Sequence, residues 1–215
     1  MSRTLLLAAA LMLPLSLAAC GGSTPAAGAV SPEAMLVPAG TALDVDEGTL
    51  ADVVFLREEE KLAHDVYVVL GQQWPLPIFA NIQESEQRHM DTVLSLLQAA
   101  GVADPAAGKG IGEFTNAELA ALYATLVAQG SGSLLDALVV GATIEDYDLA
   151  DLAESTAIAT DPTVLKVYAS LAKGSRNHLR SFVSQIGAAG GAYVPQFIDA
   201  ATYQAIVSSP IERGR

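Results

Sequence analysis

Glu86 and His89 are two ionisable residues set within an otherwise apolar stripe of the sequence. They lie three residues apart, so on a helix a carboxylate and an imidazole project from one face, about one turn apart. The other positions on that face are apolar, namely Ile82, Val93, Leu96 and Ala100. Because burying an unpaired carboxylate costs free energy, such a pair normally has a partner, often a metal ion.

Three other predicted helices repeat this pattern, with an apolar stripe interrupted near its middle by polar residues. The interrupting residues are Glu60 on the first long helix, Glu145 and Asp148 on the third, and Ser175 and His178 on the fourth. Four carboxylates and two imidazoles in one layer would repel and lose hydration unless cations neutralised them. Oxygen-rich ligation with one imidazole per ion favours Fe or Mn, with Zn also compatible. We therefore expect two divalent metal ions, with a purely hydrogen-bonded polar layer as the alternative.

The polar residues of this pattern are predicted to lie on helices. Apolar residues recur every three or four positions, and glycines, prolines and capping residues separate the runs. The predicted helices span about 48–70, 75–100, 115–129, 134–155, 162–187 and 200–208. No strand pattern competes with them, so we expect an all-α fold: an antiparallel four-helix bundle with a short extra helix in the crossover and a short C-terminal helix.

Charged residues beside the stripes are expected to face water. This set comprises Arg57, Glu58, Glu59, Lys61, Asp146 and Asp151. His64 follows Glu60 by four residues, so it lies either behind the site or on the flank of its helix.

The first residues have the features of an export signal. Arg3 is followed by an apolar run over 5–17 that is too short to span a membrane comfortably, and then by Leu17-Ala18-Ala19-Cys20. This ending resembles the lipobox of bacterial lipoproteins, in which the chain is cut before the cysteine and the cysteine is lipidated. The resemblance implies a signal peptide over 1–19 and an exported lipoprotein, periplasmic or at the outer membrane or cell surface, attached through Cys20. An unprocessed apolar helix is the alternative.

Composition separates a tether from a folded domain. Residues 20–47 are rich in Gly, Ala, Pro, Ser and Thr, which predicts a flexible tether, with a segment packed on the domain near 35–37 as the alternative. The domain itself is expected over 48–209. The net charge is 11 − 24 = −13 and no basic patch is present, which argues against nucleic acid as a partner. The expected partners are therefore metal ions and, through Cys20, the membrane; a homodimer is left open.

Several motifs resemble those of the ferritin-like superfamily. Glu60 is followed seven residues later by Tyr67, as in the ferritin and rubrerythrin branches, and the run 145–148 is similar to a rubrerythrin Glu-Asn-Tyr-Glu pattern. More closely, the runs 57–63, 79–90 and 174–179 look like a bacterial and archaeal ferritin-like family catalogued as a domain of unknown function. The resemblance covers about residues 48–209. It implies a ferritin-like bundle with a di-iron or di-manganese centre, in which two helices each give a Glu and two others each give a Glu-x-x-His.

Ser175 departs from that pattern, because the superfamily has a Glu at the head of its second Glu-x-x-His. Asp148 is the compensating ligand we expect. The resemblance implies six metal ligands: Glu60, Glu86, His89, Glu145, Asp148 and His178.

Three functions remain open from the sequence. The first is an oxidoreductase of the peroxidase or ferroxidase type, acting on O2 or peroxide in the cell envelope. Tyr67 would there be a hydrogen-bond or electron donor beside the centre, or simply a core aromatic. The second is a metal-binding lipoprotein without turnover. The third is a structural or interaction module that retains a polar core.

Overall fold

The computed structural model describes residues 36–38, 40–43 and 45–213, and this part of the chain contains six α-helices and no strand. The helices are α1 (Glu47–Gln73), α2 (Pro77–Ala99), α3 (Ala117–Gly130), α4 (Leu134–Ile158), α5 (Pro162–Ala188) and α6 (Ala200–Val207). The predicted signal peptide and Cys20 lie outside the described residues. No described helix is long and apolar enough to cross a membrane.

Each predicted helix is present, and the ends follow from local chemistry. Five of the six begin at a side-chain N-cap, such as Asp46 on α1, whose carboxylate accepts from the Thr49 N–H at 2.9 Å. The predicted end of α1 at residue 70 is wrong by three residues, since the helix continues to Gln73. Gly71 is a packing position: a Cβ there would lie 3.0 Å from the Cβ of Phe79 on α2.

The four long helices pack in a ring in which α1 and α5 lie on one diagonal and α2 and α4 on the other. Tyr67, in the second half of α1, reaches Gly141 and Glu145 in the first half of α4, so these two helices run antiparallel. Tyr67 also packs on Phe182, late in α5. Every neighbouring pair is therefore antiparallel, and α2 and α4 run the same way. The segment that contains α3 makes the crossover this topology requires.

The core consists of two apolar clusters with a polar layer between them. One cluster surrounds Tyr67, Phe79 and Phe182, and the other surrounds Leu56 and Tyr168. The predicted metal residues occupy the positions between the clusters on all four long helices, where they are shielded from water above and below.

The predicted solvated face on α1 is wrong. Arg57, Glu58, Glu59 and Lys61 are all buried, with at most 6% of their surface exposed. The loop between α2 and α3 lies over this face and binds three of these residues. Arg57 makes two 3.0 Å contacts with Asp104, Glu58 accepts the backbone N–H groups of residues 115 and 116 at 2.5 and 3.0 Å, and Lys61 donates to the carbonyl of residue 110 at 2.7 Å.

The predicted exposure of Asp146 and Asp151 is also wrong, because both are buried in α4. Asp146 is wholly inaccessible and accepts the Tyr193 hydroxyl at 2.8 Å together with the N–H groups of residues 196, 197 and 198. The chain after α5 thus folds back over this aspartate, which satisfies its charge with hydrogen bonds.

The described residues before α1 contact the bundle. Val37, Leu43 and Val45 pack against the cluster around Leu56. The Val37 N–H donates to Ser95 Oγ, and the Leu43 N–H donates to a carbonyl at the end of α2, both at 3.0 Å. At these positions the segment is packed on the domain, which is the alternative to a free tether.

Candidate metal centre

All six predicted metal residues lie buried in the polar layer, with 2–7% of their surface exposed. Each comes from the middle of a long helix: Glu60 from α1, Glu86 and His89 from α2, Glu145 and Asp148 from α4, and His178 from α5. Side chains on helices are positioned more precisely than side chains on loops, so the backbone fixes where each of these six begins.

Five of these residues form two groups that could each hold a metal ion, and the two groups share Glu86. In the first, the Nδ1 atom of His89 lies 3.2 Å from Glu60 Oε2 and 2.8 Å from Glu86 Oε2. In the second, Nδ1 of His178 lies 2.8 Å from Glu86 Oε1 and 3.3 Å from Glu145 Oε2. Glu86 therefore presents one oxygen to each group, and the two imidazole rings lie 5.5 Å apart between centroids.

These spacings match those expected between two ligands of one metal ion, and they also fit ion pairs. Two ligand atoms about 2.1 Å from an octahedral ion and at right angles to each other lie about 3.0 Å apart. The contact of His178 Nδ1 with Glu86 Oε1 is short, yet neither atom has a hydrogen-bond partner among the described residues. Glu60 Oε1 and Asp148 Oδ1 are likewise buried without a hydrogen bond. Such atoms cost free energy unless something else binds them.

Asp148 is in the layer but in neither group. Its Oδ2 atom makes a very short contact with Ser175 Oγ, and that hydroxyl also lies 3.0 Å from the Leu171 carbonyl oxygen. Ser175 thus occupies the place that the resemblance assigns to a Glu, and a carboxylate from the neighbouring helix is bonded to it.

Tyr67 is both a core aromatic and a neighbour of the site. Its hydroxyl donates to Glu145 Oε1 at 2.6 Å and lies 3.3 Å from the Gly141 carbonyl oxygen. Because Oε2 of Glu145 faces His178, the two oxygens of this carboxylate have separate partners. Tyr67 therefore fixes the orientation of Glu145. His64, by contrast, bonds Asp65 at 2.9 Å on the flank of α1 and belongs to neither group.

Close packing also holds His89 in place. A Cβ at Gly174 on α5 would lie 2.4 Å from His89 Nε2 and 2.6 Å from Cε1, so only glycine lets the ring sit there. The sequence does not single out this residue, because a glycine inside a helical stripe carries no mark of what it contacts.

The ionisation of the layer follows from burial and mutual charge. Burial raises the pKa of Glu60 to about 7, and burial also raises the pKa values of Glu145 and Asp148. For Glu86, burial acts in the same direction, but the positive charges of His178 and His89 outweigh it and lower the pKa.

The pKa of the imidazole of His178 is shifted by the same two factors, each acting in the opposite direction. Burial disfavours the charged form of His178, but Glu86 and Glu145 outweigh it and raise the pKa to about 10. Without a metal, protons therefore supply the positive charge that the layer needs. A divalent ion in each group would replace them.

Comparison with known proteins identifies relatives over most of the chain. The uncharacterized protein domain DUF2202 matches residues 50–210. The uncharacterized protein MJ0754 of Methanocaldococcus jannaschii is 48% identical over 171 residues, which is 79% of this chain and 92% of the relative. The crystal structure of that hypothetical protein superposes with a TM-score of 0.78 and 45% identity, covering 79% of this chain and 97% of that one.

Proposed function

We propose that this chain, which belongs to the DUF2202 family, is a ferritin-like di-metal-carboxylate protein of the cell envelope that acts on O2 or peroxide. The observation that carries the proposal is Glu86, whose two oxygens each lie 2.8 Å from the Nδ1 atom of a different histidine. A carboxylate placed between two imidazole-containing groups is what a bridged pair of metal ions requires.

The donor set fits two divalent ions. The four carboxylates carry up to four negative charges, and two divalent cations with neutral imidazoles would balance them. The buried oxygens of Glu60 and Asp148 that lack hydrogen bonds are further acceptors for a cation. Oxygen ligands with one imidazole per ion favour Fe or Mn over softer metals. The single crossover between the parallel helices α2 and α4 supports the ferritin-like assignment.

Each residue of the layer would have its own role in holding the two ions. Glu60 and His89 would hold one ion, Glu145 and His178 the other, and Glu86 both. Tyr67 would keep Glu145 oriented through its hydroxyl. The bound metals would supply redox and Lewis-acid chemistry towards O2 or peroxide, while the apolar clusters above and below exclude bulk water.

Attachment to the envelope is supported by the lipobox-like run ending in Cys20. Lipidation there would add acyl chains, which hold a protein at a membrane without a spanning helix. Intact-mass analysis of the chain from a bacterial host, beside a Cys20→Ala variant, tests this. A mass showing both cleavage before Cys20 and added lipid is expected, and an unmodified N-terminus would refute it.

Metal analysis of the protein purified without chelator, and after anaerobic loading with Fe(II) or Mn(II), tests the centre. We expect about two ions per chain, and loss of both in Glu86→Gln because this residue is shared by the two groups. Glu84→Gln removes the same charge from an exposed position of α2 and is expected to keep both ions. If neither the unmutated protein nor the control binds metal, the proposal is wrong and the layer is structural.

Turnover is a separate question from binding. The iron-loaded protein is expected to consume peroxide, or O2 in the presence of Fe(II), faster than Glu86→Gln does. Tight binding of two ions with no turnover above that variant would instead establish metal binding without catalysis.

A further inference from the structure

A narrow cleft lies between α1, α3 and α4 and reaches the polar layer. Five carboxylate residues line it: Glu59, Glu60, Glu86, Glu145 and Asp148. The remaining lining residues are Tyr147 and apolar side chains of the three helices, including the α3 leucines Leu119 and Leu122.

The cleft opens on the carboxylate side of the layer. Among the described residues, neither His89 nor His178 lines it, and no lysine or arginine does. A cleft with charges of one sign and low-dielectric walls concentrates ions of the opposite sign. This cleft is therefore suited to a cation and unsuited to an anion.

Three carboxylate oxygens of the lining residues have no hydrogen-bond partner among the described residues, although each residue is more than nine-tenths buried. They are Oε1 of Glu60, which is 3% exposed, Oε1 of Glu86, which is 2% exposed, and Oδ1 of Asp148, which is 7% exposed. Buried acceptors of this kind at the inner end of an acidic cleft indicate that a cation binds there.

Glu59 lies in the cleft but in neither metal-binding group. It precedes Glu60 on α1, so its side chain leaves the helix about 100° away from that of the ligand. Glu59 is itself 5% exposed. Its position makes it a cleft carboxylate that a cation can meet without being bound in the centre.

The helix α3 covers this side of the bundle, and α1 holds it there. Glu58, the residue before Glu59, accepts the N–H groups of residues 115 and 116, just before α3 begins. Lys61 and Asp65 follow Glu60 in the chain. Lys61 donates to the carbonyl oxygen of residue 110, and Asp65 accepts the N–H of residue 112, both in the loop before α3. Residues 57–65 thus include some that hold α3 and the loop before it against the bundle, and others that line the cleft.

We propose that the cleft beneath α3 is the entrance through which divalent cations reach the centre, and that Glu59 is the carboxylate that transfers them inward. This inference rests on the proposed metal centre. It predicts an effect of Glu59 on the rate of loading and none on the number of ions finally bound.

The test measures uptake of Co(II), whose visible absorption reports binding, by the metal-free protein in a stopped-flow instrument. Glu59→Gln is expected to load roughly tenfold more slowly than the unmutated protein and with a weaker dependence on salt concentration. Its final cobalt count and spectrum should match those of the unmutated protein. Glu84→Gln, with the same loss of charge on the exposed face of α2, should load at the unmutated rate.

A second variant tests the route without changing charge. Ala63 lines the cleft, so Ala63→Leu narrows it and is also expected to slow loading. Loading of Glu59→Gln at the unmutated rate would overturn the inference, as would a lower final cobalt count, since Glu59 would then be a ligand. Failure of the unmutated protein to bind cobalt would overturn the metal centre as well, so the two failures are distinguishable.

Discussion

Substitution of Gly174 by alanine tests whether the layer needs its present geometry. The added Cβ would lie 2.4 Å from His89 Nε2, whereas carbon and nitrogen atoms in contact normally lie about 3.5 Å apart. The imidazole must therefore move by about 1 Å. Metal–ligand distances tolerate about 0.2 Å, so the group formed by Glu60, Glu86 and His89 should lose its ion.

Stability alone is a weak readout for this variant. Overpacking costs about 1–3 kcal/mol, while replacing a helical glycine by alanine gains up to about 1 kcal/mol. The net change in the metal-free protein is thus between about 0 and 3 kcal/mol of destabilisation. The metal count is the decisive measurement, and we expect it to fall from about two to about one per chain.

Gly187→Ala is the matched control on the same helix. A Cβ there meets nothing within 4 Å, so the variant should keep both ions and gain a few tenths of a kcal/mol in stability. Elemental analysis after anaerobic loading, with urea unfolding of the metal-free proteins, measures both quantities. Two ions in Gly174→Ala, bound as tightly as in the control, would refute the idea that His89 is held in position by close packing.

Three further changes probe the supports of the site. Tyr67→Phe removes the hydroxyl that orients Glu145 and should weaken metal binding by roughly 10–100-fold in a chelator competition, while the ring keeps the core packed. Asp104→Asn removes an ionic partner from Arg57, whose side chain is 7% exposed, and should lower the free energy of unfolding in urea by about 1–3 kcal/mol. Hydrogen bonds from two α5 arginines lower the pKa of Glu212 to about 2, below its unfolded value of about 4.5. The stability it contributes is therefore present above about pH 4.5 and is lost as the pH falls towards 2, so Glu212→Gln should be less stable than the unmutated protein at pH 6, with the difference shrinking in acid-unfolding measurements.

Each of these expectations can fail separately. Unchanged metal affinity in Tyr67→Phe would mean that Glu145 needs no external support. A stability of Asp104→Asn equal to that of Glu113→Gln, a substitution of an exposed carboxylate, would show that the loop is held by its other contacts. A stability difference for Glu212→Gln that stays constant between pH 6 and 3 would assign its effect to packing.

The helices and the layer were predictable because both depend on one face of each helix. A stripe with a period of three to four residues identifies the face that meets the other long helices, and a polar residue within it must lie in the core. The positions of Glu60, Glu86 and His89 follow directly from that reasoning.

The exposure of the opposite helix faces was mispredicted, because the spacing of apolar residues does not show whether another segment of the chain packs over them. Arg57 and Lys61 look like solvated residues on α1, yet the loop before α3 covers them. Asp146 is covered in the same way by the segment after α5. Those contacts join residues about 47 to 52 positions apart in the chain, and no local pattern specifies them.

The one departure from the ligand pattern is compensated within the layer. Glu60 on α1 corresponds in position to Glu145 on α4, and Glu86 on α2 corresponds to Ser175 on α5. The missing carboxylate reappears on α4 as Asp148, one turn after Glu145, and Ser175 holds it by a hydrogen bond. The number of carboxylates therefore stays at four, which two divalent ions balance when the imidazoles are neutral. Asp148 preserves the charge of the layer although it lies in neither group of ligands, and the asymmetry leaves Glu86 as the single carboxylate shared between the groups.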